Sequence, residues 1–163
     1  MRNFFLFFLL QFSFSAFSQS EKTSKIDSIL DFAKKQMGIR YHYAHCTPKE
    51  GFDCSGFVYY VFNHFHVKVP RASLDYEKMG RLIQPDSAKP GDIIVFTGTN
   101  HKNRFPGHVG IILSQPGESI TFIHSSSSKK KSGVKISSYA DSPGYKIRFI
   151  KIARLSEEFL QGK

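Results

Sequence analysis

The apolar residues of this chain change their spacing part-way along, and that change constrains the fold more than any other feature. Ile26, Ile29, Leu30 and Ala33 recur at helical spacing across residues 25–37, with Gly38 as the stop. Phe57, Val58, Val61, Phe62 and Phe65 form a second helical face, for which Asp53 is the N-cap. Pro70-Arg71-Ala72-Ser73 opens a third expected helix that ends near Met79, before Gly80. After Pro90-Gly91-Asp92 the period moves toward two, and residues 93–97, 109–113, 120–124, 134–137 and 145–152 read as five strands. Helices followed by antiparallel strands make an α+β arrangement.

The amino terminus has a different character. Met1-Arg2-Asn3 gives a positive start, residues 4–14 are apolar except for Gln11 and Ser13, and Ala16-Phe17-Ser18 is a small-x-small site. This is the pattern of a cleaved signal peptide, expected over residues 1–18. The apolar run is too short to span a bilayer, where about 20 residues are wanted. No cysteine lies near the cleavage site, so a lipid-modified terminus is not supported. Residues 19–163 then form one exported domain, in the periplasm or outside the cell. The formal charge of +10 would attract anionic polymers such as cell-wall phosphates, lipid head groups or nucleic acid. Export disfavours nucleic acid, and an anionic envelope surface is the expected partner.

Chemistry concentrates at three places. Cys54 sits in Gly51-Phe52-Asp53-Cys54-Ser55-Gly56-Phe57, at the expected first turn of a helix, where backbone N–H groups and the helix dipole favour thiolate over thiol. Gly107-His108-Val109-Gly110 and Phe122-Ile123-His124 attach a histidine to each of two neighbouring strands. If those strands pair antiparallel, His108 and His124 share one edge of the sheet. The helix led by Cys54 can pack across that edge. A nucleophile, a base and a group that fixes the base are the requirements of a cysteine hydrolase. His42, His45, His64, His66 and His101 follow no metal-ligand spacing, and neither metal nor cofactor is expected.

These segments resemble the NlpC/P60 family of cell-wall peptidases. Residues 41–57, with their Phe-Asp-Cys-Ser-Gly-Phe centre, resemble the family's nucleophile motif. Pro70-Arg71-Ala72-Ser73 and Pro90-Gly91-Asp92-Ile93-Ile94-Val95-Phe96 resemble its next two elements. His108-Val109-Gly110-Ile111, Phe122-Ile123-His124-Ser125 and Gly133-Val134-Lys135-Ile136-Ser137 resemble the strands that follow. The resemblance implies a papain-like α+β fold, with amino-terminal helices packed on an antiparallel sheet of about five strands. It also implies hydrolysis of peptidoglycan stem peptides, commonly at the bond from γ-D-glutamate to a diamino acid. By position Cys54 is then the nucleophile, His108 the base and His124 the orienting residue. Tyr41 lines the site and aids the oxyanion hole, Asp53 and Ser55 border the substrate cleft, and Arg71 and Ser73 are further substrate-binding candidates.

The chain also departs from that family's pattern. Ala44 and His45 stand where two glycines are usual, in a loop that frames the substrate entrance. Cys46 stands where a small polar residue is usual, and is either a bystander thiol or, bridged to Cys54, a redox latch. Two other functions fit the same residues: a non-catalytic peptidoglycan-binding protein, and an amidase or acyltransferase acting on another substrate.

Overall fold

The computed structural model describes residues 15–129, 131–156 and 160 of the 163. Of the leader expected over residues 1–18, residues 1–14 lie outside the described residues.

The first helix, α1, is Ser15–Lys35, with Lys34 and Lys35 in its last turn, where cations complement the helix dipole. Its apolar stripe buries Ile29, Leu30 and Ala33. Turn bonds from Gln36 N–H to the Ala33 carbonyl and from Met37 N–H to the Lys34 carbonyl close it. Gly38 then reverses the chain at φ +83°, a conformation that favours glycine. Residues 41–51, which read as a loop, hold a small hairpin of β1 (Cys46–Thr47) and β2 (Gly51–Phe52). Strands of two residues are too short to carry an alternating pattern.

Helix α2 is Cys54–His64, with Asp53 as its N-cap accepting from Gly56 N–H at 2.6 Å. Phe57, Val58, Val61 and Phe62 are buried along one face, each worth about 1.5–3 kcal/mol by removal from water. The third expected helix is instead a single 3-10 turn, Ser73–Glu77, anchored by the Tyr76 hydroxyl donating to the Pro70 carbonyl at 2.9 Å. Pro70 and Gly80 bracket the segment. A second 3-10 turn, Pro85–Ser87, leads toward the sheet.

The sheet has six strands rather than five: β3 (Arg81–Ile83), β4 (Ile93–Thr97), β5 (Pro106–Ile112), β6 (Thr121–Ser126), β7 (Gly133–Ser138) and β8 (Phe149–Arg154). Their spatial order is β3-β8-β4-β5-β6-β7, and every pairing is antiparallel. Short β3 is the unanticipated strand. Its Arg81 and Leu82 are exposed, so it shows no buried alternation. The strand expected over residues 145–152 divides at Arg148. Pro143–Arg148 is a short helix, α3, and β8 begins at Phe149. Pro143 at the first helical position pre-sets the helical φ.

Both faces of this sheet are covered. On one side Ile93, Val95, Val109, Ile111, Ile123 and Val134 pack against α1 and α2. On the other, Ile94, Phe96, Ile112, Phe122 and Ile152 form a second layer beneath Tyr139, Tyr145 and Phe149. Strand β4 is buried along its whole length, which is why its sequence reads as an unbroken apolar run.

Candidate active site

Cys54 is the first residue of α2 and only 8% exposed. Its Sγ lies 3.8 Å from the Gly107 carbonyl oxygen. The Val109 N–H also points at the sulfur, so the thiol lies against the main chain on either side of His108. The expectation of a resting thiolate is corrected here. Burial, and after it the Asp53 carboxylate, push the thiol pKa up. The N–H groups of Val109, Ser55 and Cys54 oppose this only in part.

The two histidines meet directly. β5 and β6 pair through Ile111 with Ile123 and Ile112 with Phe122, and His108 and His124 lie just beyond that ladder. His108 Nε2 is 2.9 Å from His124 Nδ1. Gly110 permits this approach. A β-carbon there would lie 2.7 Å from the Phe122 ring, 3.0 Å from the Ile123 carbonyl and 3.1 Å from His124 Cβ. Both imidazoles lean on the second core layer, with ring centroids 5.9 Å apart for His108 and Phe96 and 4.8 Å apart for His124 and Phe122. Tyr145 of α3 covers both rings.

Both rings are held neutral. Burial first, then the neighbouring His124 and the charges of Arg148 and Lys135, keep His108 well below the usual imidazole range. Burial, Lys135 and Arg148 bring His124 down to about 3. With Nε2 of His108 engaged by His124, Nδ1 is its other ring nitrogen. Burial thus disfavours the charged forms of the Cys54 thiol and of both imidazoles.

A polar cluster flanks Cys54. Arg71 donates from Nη1 to Asp53 Oδ1 at 3.0 Å and from Nη2 to Oδ2 at 2.9 Å, a two-pronged pair that fixes the guanidinium plane. The same Nη1 reaches Ser55 Oγ at 3.4 Å, and the Ser55 hydroxyl donates to Asp53 Oδ1 at 3.3 Å. Ser73 opens the 3-10 turn two residues after Arg71, half-buried and outside this network. Tyr41 bridges to Phe52, and its hydroxyl pKa is pushed up to about 12 by burial and by Cys54 and Asp53. It therefore stays a proton donor at neutral pH. Cys46 packs over Gly56, where an added β-carbon would come within 3.1 Å of Cys46 Cβ. Both Cys46 and Cys54 are free thiols.

The sequence reading missed the far side of His124. Its Nε2 lies 2.9 Å from Ser137 Oγ on β7 and 3.4 Å from the Tyr145 hydroxyl. Arg148 lies over the Tyr145 ring, 5.8 Å from its centroid, and donates to the Thr97 carbonyl from Nε and Nη2. Ser137 follows Lys135 by two residues, so alternation puts the two on one face. Which face meets His124 depends on the β6–β7 register. Among the described residues no cluster of His, Cys, Asp or Glu could hold a metal ion, and no helix is long and apolar enough to cross a membrane.

The family model described as "NlpC/P60 family" matches residues 38–154. The chain is 32% identical over 139 residues to the gamma-DL-glutamyl hydrolase of Bacillus subtilis, covering 85% of this chain and 32% of that protein. It is 32% identical over 128 residues to the murein DD-endopeptidase MepS/murein LD-carboxypeptidase of Escherichia coli, covering 78% of this chain and 61% of that protein. The chain thus spans less than two thirds of the length of either relative. Among solved structures, an NLP/P60-family lipoprotein-like protein of Staphylococcus aureus superposes with a TM-score of 0.69 at 24% identity, over 81% of this chain and 41% of that one. An NlpC/P60 family protein of Bacillus cereus superposes with a TM-score of 0.68 at 25% identity, over 79% and 39%.

Proposed function

The chain belongs to the NlpC/P60 family, and from that premise we propose that it is a cysteine endopeptidase of peptidoglycan stem peptides. The bond it cuts joins γ-D-glutamate to a diamino acid, and Cys54, His108 and His124 carry the reaction. The observation that carries this reading is the 2.9 Å contact between His108 Nε2 and His124 Nδ1, made where the Cys54 thiol meets β5. A histidine tethered at Nε2 has one nitrogen, Nδ1, to offer as a base.

In this mechanism His108 takes the proton from Cys54 as sulfur attacks the amide carbonyl. The tetrahedral oxyanion receives hydrogen bonds from the Cys54 N–H and the Tyr41 hydroxyl. Collapse breaks the C–N bond, His108 returns its proton to the leaving amine, and water then cleaves the thioester. Asp53, Ser55, Arg71 and Ser73 border the cleft and bind the substrate's polar groups. The guanidinium of Arg71, already paired with Asp53, offers a stem peptide the remaining N–H donors of a fixed fork rather than an uncompensated charge.

Secretion to the periplasm or cell exterior, directed by residues 1–18, belongs to the same reading. Both relatives carry names of hydrolases, one of them of murein, and the chain's excess of Lys and Arg suits an anionic envelope. The second relative's name specifies DD and LD bonds rather than a γ-glutamyl one, which makes the cross-link the alternative target.

The deciding experiment incubates the protein with purified peptidoglycan and identifies released fragments by mass spectrometry, with Cys54→Ala as control. Fragments ending in D-glutamate support the proposed bond. Opened cross-links would keep the nucleophile and move the specificity to the DD bond. Binding without any product that depends on Cys54 would replace the peptidase with a wall-binding protein. Turnover of a non-peptidoglycan amide or ester alone would point to an amidase or acyltransferase.

A further inference from the structure

An orienting residue that is a histidine raises a problem an amide or carboxylate does not. His124 can accept or donate at either ring nitrogen, so by itself it does not decide which nitrogen of His108 carries the proton. Two arrangements satisfy these contacts. In the first, His124 Nε2–H donates to Ser137 Oγ, His124 Nδ1 accepts from His108 Nε2–H, and His108 Nδ1 is a free base. In the second, the Ser137 or Tyr145 hydroxyl donates to His124 Nε2 and His124 Nδ1–H donates to His108 Nε2. His108 Nδ1 then carries a hydrogen and cannot take a proton from Cys54.

We propose that Ser137 is a positioning residue, whose hydroxyl accepts from His124 Nε2–H and so sets the direction of the whole chain from His124 to His108. Four features of the structure support this. Ser137 Oγ lies 2.9 Å from His124 Nε2, the same separation as the contact between the two histidines. The Tyr145 hydroxyl stands next to the same nitrogen at 3.4 Å and is itself within reach of Ser126 and Ser137. The Tyr145 hydroxyl can thus donate toward Ser137 while Ser137 accepts from His124. The register of β6 on β7 pairs His124 with Lys135 and so places Ser137 one alternation further along the same face. Finally, Tyr145 is fixed from above, because Arg148 lies over its ring and is tied to the Thr97 carbonyl by two hydrogen bonds.

This inference rests on the hydrolase reading of the site, and it has a consequence for the reaction. When His108 holds the proton taken from Cys54, both its nitrogens carry hydrogen, and only the first arrangement remains possible. His124 Nδ1 must then accept, and Nε2–H must find an acceptor in Ser137. The Ser137 contact is therefore worth more after proton transfer than before it, which places its effect on kcat rather than on KM.

The test combines a structural and a kinetic readout on the whole protein. Nitrogen-15 spectra of histidine-labelled protein report which ring nitrogen of His124 carries hydrogen. The wild type should show Nε2–H with Nδ1 bare, and Ser137→Ala should show the tautomers mixed or reversed. On a stem-peptide substrate Ser137→Ala should lower kcat about tenfold at nearly constant KM, the worth of one hydrogen bond to a developing charge. Ser137→Thr, which keeps the hydroxyl, should restore most of both signals. Tyr145→Phe should cost less than Ser137→Ala. An unchanged His124 tautomer in Ser137→Ala, or a kcat within about twofold of wild type, overturns the inference. If the wild type cuts no stem peptide, the hydrolase reading fails separately, and the tautomer still decides what Ser137 does.

Discussion

His108 and His124 share a hydrogen bond of 2.9 Å between Nε2 and Nδ1, inside a site that leaves His108 8% and His124 0% exposed. Two imidazoles this close and this buried cannot both be charged. Their surroundings add the cations Lys135 and Arg148 rather than a carboxylate. The fold therefore stores free energy in keeping both rings neutral, and that storage can be measured.

Acid should destabilise the protein through these two residues. In the unfolded chain each ring titrates near 6.5, whereas in the fold His124 titrates at about 3 and His108 well below its ordinary value. Below about pH 6.5 the unfolded state therefore binds more protons. Stability is full above that pH and is lost as pH falls toward the folded values. The expected slope is about 1.4 kcal/mol per pH unit for each histidine. Urea unfolding at several pH values between 4 and 7 measures it. His124→Gln should flatten the curve, and an unchanged slope in that variant would show that other groups carry the acid response.

The thiol offers a second check, independent of any substrate. Burial and Asp53 raise the Cys54 pKa, so alkylation by iodoacetamide should accelerate only above the ordinary thiol range. Asp53→Asn keeps an N-cap of similar strength and removes the negative charge, so the midpoint should move down. Cys46→Ser isolates the signal to one thiol. A midpoint that stays put or rises in Asp53→Asn contradicts the charge effect.

How much of this was legible depended on how local each relationship is. The place of Cys54 at the start of α2 followed from Asp53 as a cap and the apolar face after it, and the meeting of the histidines followed from strand order alone. The partner of His124 did not, because it depends on how β7 is registered across the loop after Ser126, and no periodicity in the sequence sets that. α3 misled for a related reason. Tyr145, Ile147 and Phe149 alternate as in a strand, yet Tyr145 is spent on covering Phe122 and the two imidazoles. β3 was invisible because two of its three residues are exposed, and the hairpin because strands of two residues are too short to show a period. The thiolate expectation failed because helix position was weighed without burial.

Arg71 should matter for more than charge. Both of its terminal nitrogens bond Asp53, a residue 7% exposed that without them would keep only the Gly56 N–H and Ser55 hydroxyl, both on Oδ1. The guanidinium itself is about a third exposed, so screening limits the loss. Arg71→Ala should cost roughly 1–2 kcal/mol of stability. Arg71→Lys should recover part of the stability and little of the activity, since an ammonium cannot hold both carboxylate oxygens in one plane. Denaturant midpoints and KM for a stem peptide separate the two effects. Full activity in Arg71→Lys would show that the fork geometry is not used.

Ala44 is the residue whose replacement should help the fold. It sits at φ +64°, in the left-handed region that costs a non-glycine residue about 1–2 kcal/mol. It precedes His45, whose carbonyl accepts from Asp53 N–H at 3.0 Å and whose ring stacks on His42. The loop thus holds its strained conformation through contacts that end at the cap of α2. Ala44→Gly relieves the strain and loosens the unfolded chain, so the net gain should be about 0.5–1 kcal/mol, or roughly 2–3 °C in Tm. Calorimetry decides the sign. The same loop flanks Tyr41 and Asp53, so extra freedom there should raise KM for stem peptides even as Tm rises. A lower Tm in Ala44→Gly would mean the alanine is not strained and that His45 does not depend on it for its place.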